Sequence, residues 1–379
     1  VNNSHLFSLP AGDVGVSFGT EYRKEESESN PDAFVATGAT FFNALQHMRG
    51  EFDVNEVFAE ISAPLLADLP FIQDLVFDAA IRYADYSTIG SATSWKTGLD
   101  WSVNSELRVR ATYSEALRAP NIGELFGPQN QTYFRSIKDP CALSEKQSDT
   151  RVQNCALLGI APDFALNNPA ASVEGLNGGN PDLKAEESTS YTIGFVYQPE
   201  FISGFSMTVD YWSIDIDDAI SSVSAQNILD KCVDSASGLN TQFCNLIERD
   251  PTTKVLKLIT STVQNVAAQT ARGVDFELGY DFDALNGRFN TKLIGTYLQS
   301  RKTFSFQSDP SQYEEYAGTA GSADWQVNLS VNYTYDAWSA GWKTRYLDAV
   351  SLYTEQQLAI NPDPSDMMSY GSYFVTDVK

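Results

Sequence analysis

The chain has 379 residues and carries 25 Lys plus Arg against 49 Asp plus Glu, a formal net charge of −24 at pH 7. So acidic a chain lacks the concentrated positive face that phosphate binding requires, which excludes nucleic acid as a partner. Hydrophobic residues at 42% and aromatics at 12% are too many for a disordered chain, yet no apolar run approaches the roughly 18 to 20 residues of a transmembrane helix. A transmembrane β-barrel stays open, because it hides its lipid-facing residues at every second position.

The chain begins at Val1 without a methionine or an apolar leader and ends at Lys379 inside a strand-like stretch, Tyr370 to Val378, so it is expected to be a piece of a longer protein. Along most of its length apolar residues recur with period two, the pattern of strands with one apolar and one wet face. Trp95, Leu99 and Trp101 oppose Lys96, Gly98 and Asp100. Leu107, Val109, Ala111 and Tyr113 then oppose Arg108, Arg110, Thr112 and Ser114. Tyr191, Ile193, Phe195 and Tyr197 follow, opposed by Ser190, Thr192 and Gly194. Next come Val274, Phe276, Leu278, Tyr280 and Phe282 against Asp275, Glu277, Gly279 and Asp281. Near the end, Trp325, Val327, Leu329, Val331, Tyr333 and Tyr335 oppose Gln326, Asn328, Ser330, Asn332 and Thr334. No helical stripe of comparable strength is predicted. One strand breaks phase: Phe205, Met207, Val209 and Tyr211 share a face, but Trp212, Ile214 and Ile216 take the other, which predicts a bulge there or the strand's exit from the bilayer.

Full charges on the polar face need water or a large hydrated lumen, which a small closed barrel does not offer. Aromatics near strand ends, Tyr197, Tyr333, Tyr335, Trp338 and Trp342, suit girdles at two membrane interfaces. Connections alternate. Those at 66–74, 104–105, 199–203, 283–287 and 336–337 are short, whereas 25–50, 117–186, 219–263, 302–321 and 351–368 are long; the compact 86–92 is the exception on the long side. The pattern predicts an all-β antiparallel transmembrane barrel, about twelve strands forming one domain over residues 1–379 and an arc of a larger barrel. No repeat of 40 to 50 residues supports a propeller.

Four cysteines fall as two close pairs, Cys141 with Cys155 and Cys232 with Cys244, in long loops on the same inferred side. Three pairings can be drawn; two local disulfides are the simplest and imply an oxidising compartment. No C-x-x-C spacing exists and the only histidines are His5 and His47, in a terminal segment and a loop, so no zinc site, cofactor or catalytic base is expected. Asp215, Asp217 and Asp218 could bind a hard cation but read better as a solvated strand end.

The run Tyr113 to Phe126, with Arg118-Ala119-Pro120 at its centre, resembles the Arg-Ala-Pro box of TonB-dependent outer-membrane receptors. Gly179-Asn180-Pro181-Asp182-Leu183-Lys184-Ala185-Glu186 is similar to that family's Asn-Pro-x-Leu box. Gly273-Val274-Asp275-Phe276-Glu277 resembles its Gly-x-(Asp/Glu) strand opening. The resemblance covers essentially the whole chain and implies a 22-stranded barrel in a Gram-negative outer membrane, with an N-terminal plug that contacts the energy-transducing TonB. Nothing here resembles the plug, and the usual terminal aromatic is missing, so plug and final strands are expected outside this chain. Haem receptors of the family place a histidine ligand between the two boxes; none lies between Pro120 and Asn180.

The expected activity is therefore uptake, not catalysis, with outer-membrane lipid around the wall and a small solute bound by loops and lumen. Candidate ligand-binding residues are Arg118, Asn121 and Glu124 of the first box and, in the following loop, Gln129, Asn130, Gln131, Tyr133, Phe134 and Arg135. Amides mixed with aromatics suit stacking on sugar rings and hydrogen bonding to hydroxyls, which tips the balance slightly to an oligosaccharide over a ferric siderophore. The alternative is a secreted or surface-attached, lectin-like β-rich module.

Overall fold

The computed structural model describes residues 1–41, 43–145, 148–165 and 172–379. In chain order it contains β1 (Asn2–Leu9), β2 (Gly12–Ser29), α1 (Ala33–Ala36), β3 (Met48–Leu69), β4 (Ile72–Tyr86), β5 (Gly90–Ser102) and β6 (Leu107–Arg118). Then come α2 (Ile122–Phe126), β7 (Asn130–Phe134), α3 (Asp149–Leu157), β8 (Val173–Gly178), β9 (Glu186–Tyr197), β10 (Phe205–Ser222) and α4 (Ala225–Val233). The chain continues through β11 (Ile247–Arg249), β12 (Leu256–Ala284), β13 (Gly287–Phe304), β14 (Tyr313–Glu315), β15 (Trp325–Tyr335), β16 (Trp338–Leu347), β17 (Val350–Ser351), α5 (Glu355–Ile360), β18 (Ser369–Tyr370) and β19 (Tyr373–Val378).

Long strands pair antiparallel in the order β1, β2, β3, β4, β5, β6, β9, β10, β12, β13, β15, β16, β19. Among the described residues β1 pairs only with β2 and β19 only with β16, so the sheet is an open wall. The twelve strands expected are exceeded by β1, where the sequence reading had only a terminal segment around His5. Every alternating pattern quoted above lies within one strand, because period two is the geometry of the pleat.

Registers carry the apolar positions of each strand onto those of the next. Between the aromatic belts that face holds no charge: Val109, Ala111, Ile193, Phe195, Val209, Val274, Leu278, Leu293, Val327 and Leu329 run across it. One belt joins neighbouring strands through Trp95 and Tyr113 (ring centroids 5.4 Å apart), Tyr191 and Tyr211 (6.0 Å), and Tyr297 and Trp325 (4.7 Å). The second, at the short-turn end, stacks Tyr280 on Phe282 (4.9 Å) and Phe282 on Phe289 (5.0 Å), with Tyr333 tilted against Phe289 (4.7 Å). From Phe289 to Tyr297, at roughly 3.4 Å per residue and a tilt of about 40°, the belts stand roughly 20 Å apart, close to the apolar band of an outer-membrane barrel.

The opposite face is charged and internally paired. Arg110 binds Asp210 through Nε (2.8 Å) and Nη2 (2.6 Å), Arg108 pairs with Asp100, and Lys292 reaches Glu277 at 2.7 Å. The phase switch in β10 is not a bulge: pairing runs without a shift from Phe205 to Ile216 on one side and from Met207 to Asp217 on the other. Trp212 and Ile214 therefore lie on the polar face with Asp210, and the first irregularity comes after Ile216. The strand leaves the belt at Tyr211, which is the other explanation the sequence offered. Gly273 stands opposite Trp212 because a Cβ there would meet the indole at 2.6 Å.

Strands run far past the outer belt. β12 has 29 residues and β3 has 22, against the roughly 9 to 11 that cross a membrane. As a single sheet with one uncharged and one charged face, the wall has little interior of its own, and the main buried clusters lie in the connections. Val223, Ala225, Ile228, Leu229, Ile259, Val266 and Phe306 form one cluster; Cys141, Cys155, Ile160, Cys232 and Val233 form another. Phe243 and Ile247 touch both, so the β6–β9 and β10–β12 connections fold as one lobe. Its helix α4 was missed by the strand-dominated reading, although Ser224 caps it and Ala225, Ile228, Leu229 and Cys232 follow helical spacing.

Candidate functional site

The first box ends β6 and starts α2. Asn121 caps that helix by accepting from the Glu124 N–H (2.9 Å), while Glu124 accepts from the Asn121 N–H (2.8 Å). Arg118 then donates to Glu124 (2.9 and 3.1 Å) and to Glu186 at the start of β9 (2.6 and 2.7 Å). Glu186 also accepts the Ile220 N–H at 2.7 Å, which ties in the bulge of β10. The second box docks on the first: the Gly179 N–H reaches the Gly127 carbonyl (2.9 Å) and the Asn180 N–H that of Glu124 (2.7 Å). Arg118, Asn121 and Glu124 are thus brought together, with their polar groups engaged on one another and on the neighbouring strands.

The loop candidates follow in β7, which pairs with β8; β8 in turn lies parallel to the outer part of β12. Asn130 accepts from the Gln46 N–H at 2.8 Å. Gln131 donates to the Tyr133 hydroxyl and to Glu174, each at 3.0 Å, and Tyr133 is exposed. Phe134 turns inward over Gly175 and packs on the lobe core, whereas Arg135 is exposed. Gln129 is exposed and lines a cleft of about 530 Å³ between the two connections, together with Asn180, Gln242, Thr260, Thr262 and Gln264. The last four belong to stretches that the sequence reading placed in a long loop or its edge; a period-two run from Thr260 to Gln264 was the available signal.

Both expected disulfides are present, Cys141–Cys155 and Cys232–Cys244. Around them, Arg151 of α3 pairs with Asp230 of α4 and with Asp234 at that helix's C-terminal end. Hydrogen bonding to Asp234 holds the Arg151 guanidinium above its usual range, and burial pushes the Asp230 carboxyl up. Asp215, Asp217 and Asp218 do not converge: Asp215 faces Arg272 at 3.7 Å and Asp218 accepts from Gln307 at 2.6 Å. His5 lies between Ser4 (3.0 Å) and Asp13 (2.9 Å) on an exposed strand, and His47 beside Glu28 (3.1 Å).

A family model described as TonB dependent receptor-like, beta-barrel, matches residues 1–379. Similar solved structures include the siderophore receptor PirA from Acinetobacter baumannii, at 13% identity and a TM-score of 0.58 over 98% of this chain and 46% of that one. The ferric enterobactin receptor PfeA from Pseudomonas aeruginosa, in complex with enterobactin, matches at 15% identity and 0.62, over 100% and 45%. The FrpB iron transporter from Neisseria meningitidis matches at 13% and 0.53, over 98% and 46%. The chain spans less than half the length of each, and at these identities the likeness is one of fold.

Proposed function

Because this chain belongs to the TonB-dependent receptor β-barrel family, we propose that it forms part of the wall of an outer-membrane receptor that captures a scarce solute outside and passes it to the periplasm. The observation that carries the reading is the uncharged face bounded by two aromatic belts, with turns at one end and long connections at the other. Such a face is matched to a bilayer. A secreted lectin-like module would leave that band in water, far beyond the few hundred Å² of apolar patch that soluble proteins tolerate.

In this reading the wall is completed by strands outside these 379 residues, and a plug, also outside them, fills the lumen. Asp210, Glu277, Arg110 and Lys292 present the charged surface such a plug would meet. TonB would act on the plug to drive release, with no bond made or broken in the solute. Capture falls to the lobe and to β7 with its flanking residues, where Gln129, Tyr133 and Arg135 are exposed and Gln131 lies half-buried beside Tyr133. The amides and the phenol suit a hydroxyl-rich nutrient through hydrogen bonds and ring stacking, while the Arg135 guanidinium is equally able to meet an anionic ferric chelate.

The test is growth and uptake in a strain lacking the gene, compared on iron-chelated and on oligosaccharide-limited media. Loss of growth on one of them, restored by the intact gene and abolished again without TonB, is the expected outcome. Normal uptake of every solute, or recovery of the protein as a soluble monomer, would contradict the proposal.

A further inference from the structure

Two of the short turns hold residues unsuited to a turn in water. Pro70 and Phe71 join β3 to β4 beyond the Leu69–Ile72 pair, with Phe71 at φ 62°, and a proline followed by a positive φ is the type II pattern that calls for Gly or Asn. Leu285 and Asn286 join β12 to β13 beyond the Ala284–Gly287 pair at φ 54° and 61°, a type I′ turn whose first position favours Asn, Asp or Gly. A bulky side chain in the left-handed region costs free energy that those residues avoid. Packing within the chain does not offset that cost, since Phe71 and Leu285 are each 79% exposed. Two other short turns carry Phe201 and Trp338, 77% and 78% exposed.

Both strained turns are pinned to aromatics of the uncharged face. Trp101 Nε1 donates to the Phe71 carbonyl at 2.9 Å, and the Tyr333 hydroxyl to the Leu285 carbonyl at 2.7 Å. The turn tips are thus continuous with that face. Leu285 lies three residues beyond Phe282 of the belt. At the same rise and tilt this is roughly 8 Å, while the polar headgroup layer extends about 5 to 8 Å beyond the hydrocarbon, so the tips lie among headgroups. Charge then selects the lipid. Asp68, Glu106, Glu200, Asp283 and Asp336 stand in or beside the short turns against Arg288 alone, which Asp281 engages at 3.5 Å. Such a rim repels a net-anionic headgroup and accepts the ammonium group of a zwitterionic one.

Building on the outer-membrane reading, we infer that the short-turn rim is a lipid anchor: Phe71, Leu285, Phe201 and Trp338 enter the headgroup layer of a zwitterionic phospholipid leaflet and fix how deep the wall sits. Withdrawing these side chains from water offsets the backbone cost of the two left-handed positions. A turn hydrated on all sides would gain nothing from Phe after Pro70.

The test uses the full receptor with its six tryptophans replaced by phenylalanine and Leu285→Trp as the single fluorophore. It is reconstituted in phosphatidylcholine brominated near the headgroup end of its acyl chains. The bromines are expected to quench most of the emission, and aqueous iodide to quench far less than it quenches free tryptophan. In equal mixtures of phosphatidylcholine and phosphatidylglycerol, bromination of the first should quench about twofold more than bromination of the second at low salt, the ratio approaching one at about 0.5 M salt as the charges are screened. Should the tryptophan-free background not fold, Phe71→Gly and Leu285→Asn in the native receptor take its place. Each suits its left-handed position, so Tm in detergent is unchanged or raised, while the rise in Tm on transfer from detergent to phosphatidylcholine bilayers shrinks. Full iodide quenching of Leu285→Trp, protection from iodide and bromine alike, indifference to the headgroup at low salt or a preference for phosphatidylglycerol, or a Tm in detergent lowered by either variant overturns the anchor. Under those outcomes Trp325 as the single fluorophore, quenched by bromines deep in the acyl chains, keeps the outer-membrane reading, and without that quenching both fall.

Discussion

Arg249 and Asp139, 110 residues apart, meet as a bidentate pair inside the lobe, Nη1 to Oδ2 at 2.6 Å and Nη2 to Oδ1 at 2.8 Å. Asp139 is fully buried and also accepts the Cys141 N–H at 3.0 Å, while Arg249 donates onward to the Lys254 carbonyl at 3.0 Å. The pair therefore fastens the connection that carries one disulfide to the connection that carries the other. Removing one partner strands a buried charge, so Arg249→Ala should cost the lobe about 3–5 kcal/mol. Replacing both by apolar residues should cost much less. Protease resistance of the lobe, read against the intact wall, separates the two cases.

The disulfides close loops of 14 and 12 residues, each stabilising the lobe by about 3 kcal/mol in the chain-entropy account. Reduction should therefore open the lobe to proteases while leaving the heat-modifiable gel mobility of the barrel unchanged. Loss of that mobility on reduction alone would show that lobe and wall fold as one unit.

Arg118 is placed to organise the neighbourhood of the cleft, without lying in it. Its four donor contacts hold α2 and the start of β9, and Glu186 carries the constraint to Ile220. Because its side chain is partly solvated, Arg118→Ala is expected to cost about 1–2 kcal/mol, below a buried pair. A double-mutant cycle with Glu186→Gln should return a coupling of the same order, and additivity would remove Arg118 from this role.

Asp230 supplies a pH signature. Burial raises its carboxyl above the ordinary range even with Arg151 and Gln226 beside it, so ionisation of this group works against the folded lobe. The opposing contribution is fully present above the raised folded pKa and disappears as pH falls to the unfolded value. Asp230→Asn should accordingly leave the lobe as stable or more stable at neutral pH, with the difference from the parent closing on acidification. A variant that loses stability at neutral pH would mean the ion pair with Arg151 outweighs burial.

The wall was legible in the sequence because the pleat imposes period two directly: Tyr191 to Tyr197 and Val274 to Phe282 need no tertiary information to be assigned a face. The cysteine pairs were legible for a similar reason, being close in the chain. What stayed hidden depends on contacts between distant segments. Gln264 and Thr260 look like any residues near a loop edge until β8 and the β10 bulge are laid beside them. Trp212 left a bulge and an exit from the bilayer equally open, because an aromatic on a polar face fits either; across from it, Gly273 offers the room that lets a regular strand accommodate the indole.

The central claim is that one face of this wall meets lipid, and the six tryptophans test it directly. Trp95, Trp101, Trp325, Trp338 and Trp342 lie on the uncharged face, whereas Trp212 lies on the face of Asp210 and Arg110. Full-length receptor carrying a single tryptophan would be reconstituted in bilayers of brominated lipid and its fluorescence quenching measured. Strong quenching of Trp325 with little of Trp212 is the predicted result; equal quenching of the two, or none of Trp325, would contradict the account.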